Sequence, residues 1–215
     1  MSKLVFKEYY RNNLPHIQYE GVKIAVTFRL AFSLPQNILN ILKREKDEYI
    51  RISSTLKETE KEACDIEFNR KYFENFDQFI DKYKNESCWL KLPKVADIVY
   101  KSLIFLNNRK YILHCFTIMP NHIHMIIEPL KNNERIFGLS EIMQSLKGYT
   151  AKKCNEILLR KGQFWQHGHY DHLIRDARDY NYQVYYLINN PVKAGLVNIW
   201  KDWEYTYVDQ TFQFD

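Results

Sequence analysis

Residues 110–128 read KYILHCFTIMPNHIHMIIE, and the reading of this stretch decides the fold. Two runs rich in β-branched and aromatic side chains, 110–118 and 122–128, are separated only by Met119-Pro120-Asn121. Strand-forming runs with so short a break between them predict an antiparallel hairpin. Side chains alternate across a strand, so His122 and His124 fall on one face while Ile123 points to the other. Two ring nitrogens on one face can share a divalent ion, although histidine pairs on strands also occur as ordinary half-buried polar residues.

Working outward, residues 22–32 (VKIAVTFRLAF) form another β-rich run, closed by the break at Pro35. A helix is expected from Pro93 to Asn107, where Val95, Ile98, Val99, Ser102, Leu103 and Leu106 keep the 3.6-residue period. A longer amphipathic helix is expected over 139–160, with Ser140 as candidate N-cap. The stretch 162–175 (GQFWQHGHYDHLIR) reads as a loop, followed by a last helix from Arg178 to Asn190 that Pro191 stops, and a short strand near 205–209. This order predicts an α+β fold, a ferredoxin-like sandwich in which helices cover an antiparallel sheet.

Residues 36–90 have a different texture. Ile38, Ile41, Leu42, Tyr49 and Ile52 follow helical spacing in a segment free of Gly and Pro. Between 43 and 62 six basic residues face six acidic ones, so the segment reads as a charged helical insertion with a solvated, ion-paired face, or as an accessory that grips a partner. With 215 residues, 46% of them hydrophobic, and only 6 Gly and 6 Pro, the chain is expected to form one domain over 1–215 carrying that insertion. No apolar run reaches the roughly 18 residues of a membrane span, and the first residues lack the apolar stretch of a secretory signal, so a cytoplasmic location is expected. Cys64, Cys88, Cys115 and Cys154 lie far apart without a C-x-x-C pair and read as reduced packing residues.

The formal charge of +5 permits an anionic partner, and much of it is concentrated in one place. Lys147, Lys152, Lys153, Arg160 and Lys161 are opposed there only by Glu156. Such a helix suits a phosphate backbone, or is an ordinary solvated lysine face. Tyr149, Phe164, Trp165 and Tyr170 flank it and could stack on unpaired bases if exposed.

On the last helix Tyr182, Tyr186 and Asn190 recur at i, i+4 and i+8. That stripe is either an aromatic core face or a nucleophile beside a polar ligand. A phenol is almost wholly neutral at pH 7 and needs a nearby cation or base to attack anything. Tyr185, turned about 100° round the helix and paired with Asn189, and Tyr182, one turn back, are the alternatives to Tyr186.

Four ordered stretches carry a resemblance: MPNHIHMIIEPL (119–130), SLKGYTAKK (145–153), FWQHGHYDHLIRD (164–176) and YYLINNPVKAGLV (185–197). Together they resemble the HUH-type single-tyrosine transposases, in the REP-associated branch of the IS200-like family, over residues 22–34 and 92–203. The resemblance implies that His122 and His124 bind Mg²⁺ or Mn²⁺, that Asn190 completes the metal shell, and that Tyr186 is the nucleophile. Mn²⁺ suits the mixture of imidazoles and an amide oxygen better than Mg²⁺. Lys147, Lys152, Lys153, His172 and Arg175 become candidate nucleic-acid contacts. The implied partner is single-stranded DNA bearing palindromic hairpins, met at the nucleoid. The implied product is a 5′-phosphotyrosine, with a hairpin-binding protein that no longer cuts as the alternative; monomer and homodimer are both compatible. Two departures stand out: the insertion is long, and the tail DWEYTYV (202–208) replaces the Trp-x-Trp-Ser-Ser ending usual in such proteins. A metallohydrolase is disfavoured, because Met125 and Ile126 follow His124 and no H-E-x-x-H occurs.

Overall fold

The hairpin forms as its sequence predicts: β2 (Tyr111–Ile118) and β3 (His122–Pro129) pair antiparallel, with Thr117 opposite His124 and Ile118 opposite Ile123. Met119 closes the turn by donating its N–H to the His122 carbonyl at 2.9 Å. β1 (Ile24–Arg29) lies on the other side of β3, placing Thr27 opposite His124 and Arg29 opposite His122. The computed structural model describes residues 21–212 except 33, 58, 59, 61–63, 65–67, 69, 70, 73, 74, 81, 83–86 and 134. The chain divides into two compact units, Phe32–Cys88 and the residues on either side of it.

In the larger unit, β6 (Tyr170–Leu173) and β7 (Thr206–Val208) complete a five-stranded sheet of order β6-β1-β3-β2-β7, with every pair antiparallel. The helices that follow β1 and β3 are α2 (Pro93–Leu106) and α3 (Leu139–Ile157). The path β1-α2-β2-β3-α3-β6 through these neighbours is the ferredoxin-like βαββαβ arrangement, and β7 extends its edge. A minimal hairpin of β4 (Lys131–Asn132) and β5 (Arg135–Ile136) leads into α3.

Alternation sorts the sheet into two cores. Val26, Phe28, Leu113, Phe116, Ile123, Met125 and Ile127 face α2 and α3, where Val95, Val99, Leu103, Ile142 and Leu146 meet them. The odd step from Leu113 to Cys115 is a β-bulge that lets β2 serve both faces. On the opposite face Cys115 and Ile126 lie under Val184, Leu187 and Ile188 of α4 (Ala177–Ile188). His122 and His124 have the parity of Ile126, so α4 covers the face on which they sit.

The structure corrects four local readings. The stretch expected as a loop supplies β6, whose four residues are too few and too polar to show a strand pattern but pair along the edge of β1. Ser140 is not the N-cap of α3; Gly138 is, and it makes no side-chain cap bond. α4 begins at Ala177, capped by Asp176, whose side chain accepts the Asp179 N–H. Pro191 does not simply end this helix: it sits in the first turn of α5 (Asn190–Lys193), where a missing N–H is harmless.

The smaller unit contains α1 (Gln36–Ser53), and helical residues recur among those described between 60 and 82. Leu34, Ile38, Leu42 and Ile80 form its core with Tyr72, Phe76 and Phe79 against them, and the Tyr49 and Phe68 rings stack at 3.8 Å. Ile41 and Ile52, counted with the apolar stripe in sequence, are exposed. All four cysteines are free, and Cys115 and Cys154 are buried. Among the described residues no helix is long and apolar enough to cross a membrane.

The end of α3 yields a stability test. The Arg160 N–H reaches back to the Asn155 carbonyl at 3.0 Å, closing the helix with Leu159 in the left-handed conformation at φ 50°. Leu159 is 94% exposed, so its side chain loses little in packing while its backbone is strained by about 1–2 kcal/mol. Leu159→Gly should stabilise the protein by about 0.5–1 kcal/mol once the freer unfolded chain is allowed for. Urea unfolding of the two proteins checks this, and a lower midpoint for the glycine variant would contradict it.

Candidate active site

The His122 and His124 side chains are 0% and 2% exposed, and their Nε2 atoms lie 2.8 Å apart. Each ring is held from its other nitrogen. Nδ1–H of His122 donates to Asn121 Oδ1 at 2.7 Å, and Nδ1 of His124 lies 2.7 Å from Thr27 Oγ1. Thr27 is at that distance because the β1–β3 register sets it directly across from His124. When Nδ1–H of His124 donates to the threonine, both Nε2 atoms carry lone pairs directed at one another. Facing lone pairs repel, and a cation that accepts both relieves the repulsion. Fixing a ligating histidine through its second nitrogen is also how metal sites orient their imidazoles.

Electrostatics favours the same state. Burial holds His122 well below the usual histidine range, helped by the neighbouring His124. His124 is pushed down to about 3, first by burial and then by the Lys193 ammonium. Both rings are therefore neutral at pH 7, and a metal ion need not displace a proton. The pair suits a divalent cation that tolerates nitrogen ligands.

α4 sets the tyrosines on different sides. Tyr185 packs toward the second core, its ring 5.8 Å from that of Phe212, and its carbonyl accepts the Asn189 Nδ2–H at 2.8 Å. Tyr182 and Tyr186 stack at 6.1 Å along another stripe of the helix. Tyr186 is half-buried, and Asn190, four residues on, is 1% exposed at the start of α5. Lys193 completes this stripe, with Nζ 3.8 Å from the Tyr186 ring centroid. One ammonium thus lies over the tyrosine ring and near enough to His124 to oppose its protonation.

The remaining sequence candidates sit elsewhere. His172, on β6, approaches both Asp179 carboxylate oxygens, at 3.1 and 2.9 Å, tying the sheet edge to the first turn of α4. Arg175 is exposed in the connection between them, its backbone N–H donating to Asp179. Lys147 donates to the carbonyls of Gln166 and Gly168 and lies 5.7 Å from the Phe28 ring centroid. Burial, then Arg29, pushes it down to about 8. Lys152 is exposed, and Lys153 pairs with Glu156 at 2.9 Å. The latter two belong to α3, which packs on the sheet face opposite the histidines. Of the aromatics considered for base stacking, Phe164 and Trp165 are core residues, with Trp165 Nε1–H donating to Thr150 Oγ1 at 2.9 Å, whereas Tyr149 is 57% exposed. Thr27, Asn121 and Lys193 were not singled out from the sequence. The first depends on strand register, which no local pattern reveals; the other two lie inside the quoted stretches MPNHIHMIIEPL and NPVKAGLV.

Comparison with known proteins bears on this arrangement. The family described as "Transposase IS200 like" matches residues 78–187, which include both histidines and Tyr186. A Haemophilus influenzae protein described as "Putative REP-associated tyrosine transposase" is 30% identical over 95 residues, 41% of this chain and 54% of that protein. The "REP-associated tyrosine transposase" of Escherichia coli K12 is 25% identical over 99 residues, 46% of this chain and 55% of that protein. The chain thus spans about half the length of these curated relatives. A solved structure described as a REP-associated tyrosine transposase bound to a REP hairpin superposes with a TM-score of 0.50 at 15% identity, covering 97% of this chain and 94% of the other, and shares the fold. With the family pattern running through more than half of its residues, from the end of the smaller unit to the tyrosine helix, the chain belongs to the IS200-like transposases.

Proposed function

We propose that this chain is a metal-dependent strand transferase for single-stranded DNA, with Tyr186 as nucleophile and His122, His124 and Asn190 as metal ligands. The observation that carries the reading is the convergence of two neutral imidazoles, Nε2 to Nε2 at 2.8 Å, on the sheet face covered by the tyrosine helix. Mg²⁺ or Mn²⁺ bound there supplies a Lewis acid that stabilises charge developing at phosphorus. The chain's own residues do the rest. Thr27 and Asn121 orient the imidazoles, and α4 presents the Tyr186 phenol. The phenolic oxygen attacks the scissile phosphorus in line, forming the O–P bond of a 5′-phosphotyrosine and breaking the bond to the 3′-oxygen. The phenolic proton is lost to water, and the departing oxygen takes one up to leave a 3′-hydroxyl. Since one phosphoester replaces another, a second 3′-hydroxyl can reverse the step and join strands without an external energy source.

The family and its REP-associated relatives support a substrate class: DNA whose palindromes fold into hairpins beside the cleaved single strand. Tyr149, exposed on α3 near Lys152 and Lys153, offers a ring for an unpaired base and cations for the backbone. In this reading the Phe32–Cys88 unit is an insertion within one transposase domain.

Two outcomes are expected. Incubated with hairpin-bearing single strands and Mn²⁺, the protein should form a covalent adduct that survives denaturing electrophoresis. Tyr186→Phe should reduce it by at least about 10³-fold, whereas Tyr185→Phe should still form it. Full adduct from Tyr186→Phe would refute the assignment, and hairpin binding without any adduct from wild-type protein would favour a non-cutting binder. Separately, Thr27→Val removes the oxygen that orients His124 while keeping a β-branched strand residue, and should weaken Mn²⁺ binding by about 10–100-fold in calorimetry. Unchanged affinity would place the metal elsewhere.

A further inference from the structure

We propose that two histidines outside the His122–His124 pair, His172 and His114, fix the rotation of α4 and so aim the Tyr186 phenol. The inference rests on the strand-transfer reading and makes both of them positioning residues instead of contacts to DNA.

The first turns of α4 are fastened at two adjacent residues, each to a different strand. Asp179 is held from β6: Nε2–H of His172 donates to its carboxylate, lying 2.9 and 3.1 Å from the two oxygens. The same carboxylate accepts the Arg175 backbone N–H at 3.2 Å and the Gln183 Nε2–H at 3.4 Å, so its direction is set from both sides in the chain. Tyr180 is held from β2: its hydroxyl lies 3.0 Å from Nδ1 of His114, whose Nε2 in turn lies 3.7 Å from a Glu128 oxygen. In the sheet β6 and β2 are separated by β1 and β3, the strands that carry Thr27 and the histidine pair. The two fastenings therefore stand on either side of that pair.

Both pegs have a local cause. The β2–β3 register passes from Leu113 opposite Ile127 to Cys115 opposite Ile126, so His114 is the extra residue of the bulge. Bulges re-aim a side chain, and here the His114 ring meets that of Tyr180 edge-on, with centroids 5.4 Å apart. His172 stands on the short edge strand whose pairing with β1 sets it opposite Ala25. Its side chain is 21% exposed with Nε2 already given to Asp179, which leaves it little to offer a phosphate.

Apolar packing holds α4 on the sheet through Val184, Leu187 and Ile188. Such contacts are non-directional and tolerate a small roll of the helix, whereas hydrogen bonds do not. Asp179 and Tyr186 are seven residues apart, so their directions round the helix differ by only about 20°. A roll of about 10° moves a side-chain tip, roughly 6 Å from the axis, by about 1 Å. A misplacement of that size can cost about a hundredfold in rate. Asp179 and Tyr180, about 100° apart round the helix and tied to opposite sides, oppose a roll in either sense.

The test measures single-turnover adduct formation by full-length protein with Mn²⁺ over a range of concentrations of a hairpin-bearing single-stranded oligonucleotide. His172→Leu should lower the rate at saturating DNA by about tenfold and Tyr180→Phe by several-fold, with the half-saturating DNA concentration within about twofold of wild type. His172→Gln places an amide N–H close to the position of Nε2–H and should recover most of the rate. Tyr180→Phe keeps its ring against Phe212, so a fall in rate with an unchanged urea midpoint separates aim from folding. A higher half-saturating concentration with an unchanged maximal rate in His172→Leu would make His172 a DNA contact and overturn the proposal. So would full rates in the doubly substituted protein, or a glutamine variant as slow as the leucine one. Amide hydrogen exchange is followed in parallel, and α4 should exchange faster in the double variant while α2 does not. Unchanged exchange in α4 overturns the fastening whatever the adduct shows. A wild-type protein that forms no adduct, with α4 loosened in the double variant, refutes strand transfer while leaving the fastening standing.

Discussion

Two imidazole Nε2 atoms 2.8 Å apart inside a protein cannot both carry a proton, and the groups around them serve that constraint. A charge on either ring would have to be carried in the interior, beside the other ring for His122 and against the Lys193 ammonium for His124, and burial first of all depresses both. Neutrality alone would leave the tautomers undecided. The choice is made by neighbours: the Asn121 oxygen can only accept, which forces a proton onto Nδ1 of His122 and leaves its Nε2 bare. The Thr27 hydroxyl, which can donate or accept, holds the His124 ring from its Nδ1. Three adjacent strand positions, Thr27, His124 and Thr117, stand in line across β1, β3 and β2, so the site is as rigid as the sheet's own ladder.

The sheet also explains how the histidine pair comes to lie on the face covered by the tyrosine helix. One face is filled with aliphatic side chains under α2 and α3 and provides the stability. The other holds a smaller apolar patch, in which Cys115 and Ile126 accept Val184, Leu187 and Ile188, and leaves the remaining positions of β1 and β3 to polar groups. Because Val184, Leu187 and Ile188 anchor α4, residues on its other sides are released from packing. Tyr185 is captured by the same patch and by Phe212, while Tyr186 is left half-buried beneath Lys193. Adjacent tyrosines identical in chemistry are thus separated by 100° of helix.

Much of this was legible in the sequence because it depends on local periodicity. The hairpin, the shared face of His122 and His124, and the helices over 93–106 and 139–157 follow from period 2 and period 3.6. What escaped was decided by partners distant in the chain. β6 is a strand because β1 presents an edge to Tyr170–Leu173, and those residues alternate too briefly to show it. Phe164 and Trp165 read as stacking platforms because they adjoin a basic helix, yet Thr150, Phe28 and Trp89 bury them. Lys147 reads as a free cation in a basic run, and its ammonium is engaged by two loop carbonyls.

The helix break at residue 189 is set by the proline two residues on. A continuous helix through Asn190 would place a proline in its interior, where the ring clashes with the preceding turn and costs about 3 kcal/mol. Ending α4 at Ile188 and restarting at Asn190 moves Pro191 into a first turn and removes that clash. The restart keeps Asn190 buried and sends Lys193 back over Tyr186. Pro191 therefore acts less as a stop than as a joint: Asn190, just before it, is buried, and Lys193, two residues after it, is carried back over the Tyr186 ring. The same four residues thereby place Asn190 and the Lys193 ammonium on the stripe of Tyr186, which a straight helix could do only by carrying a proline in its interior.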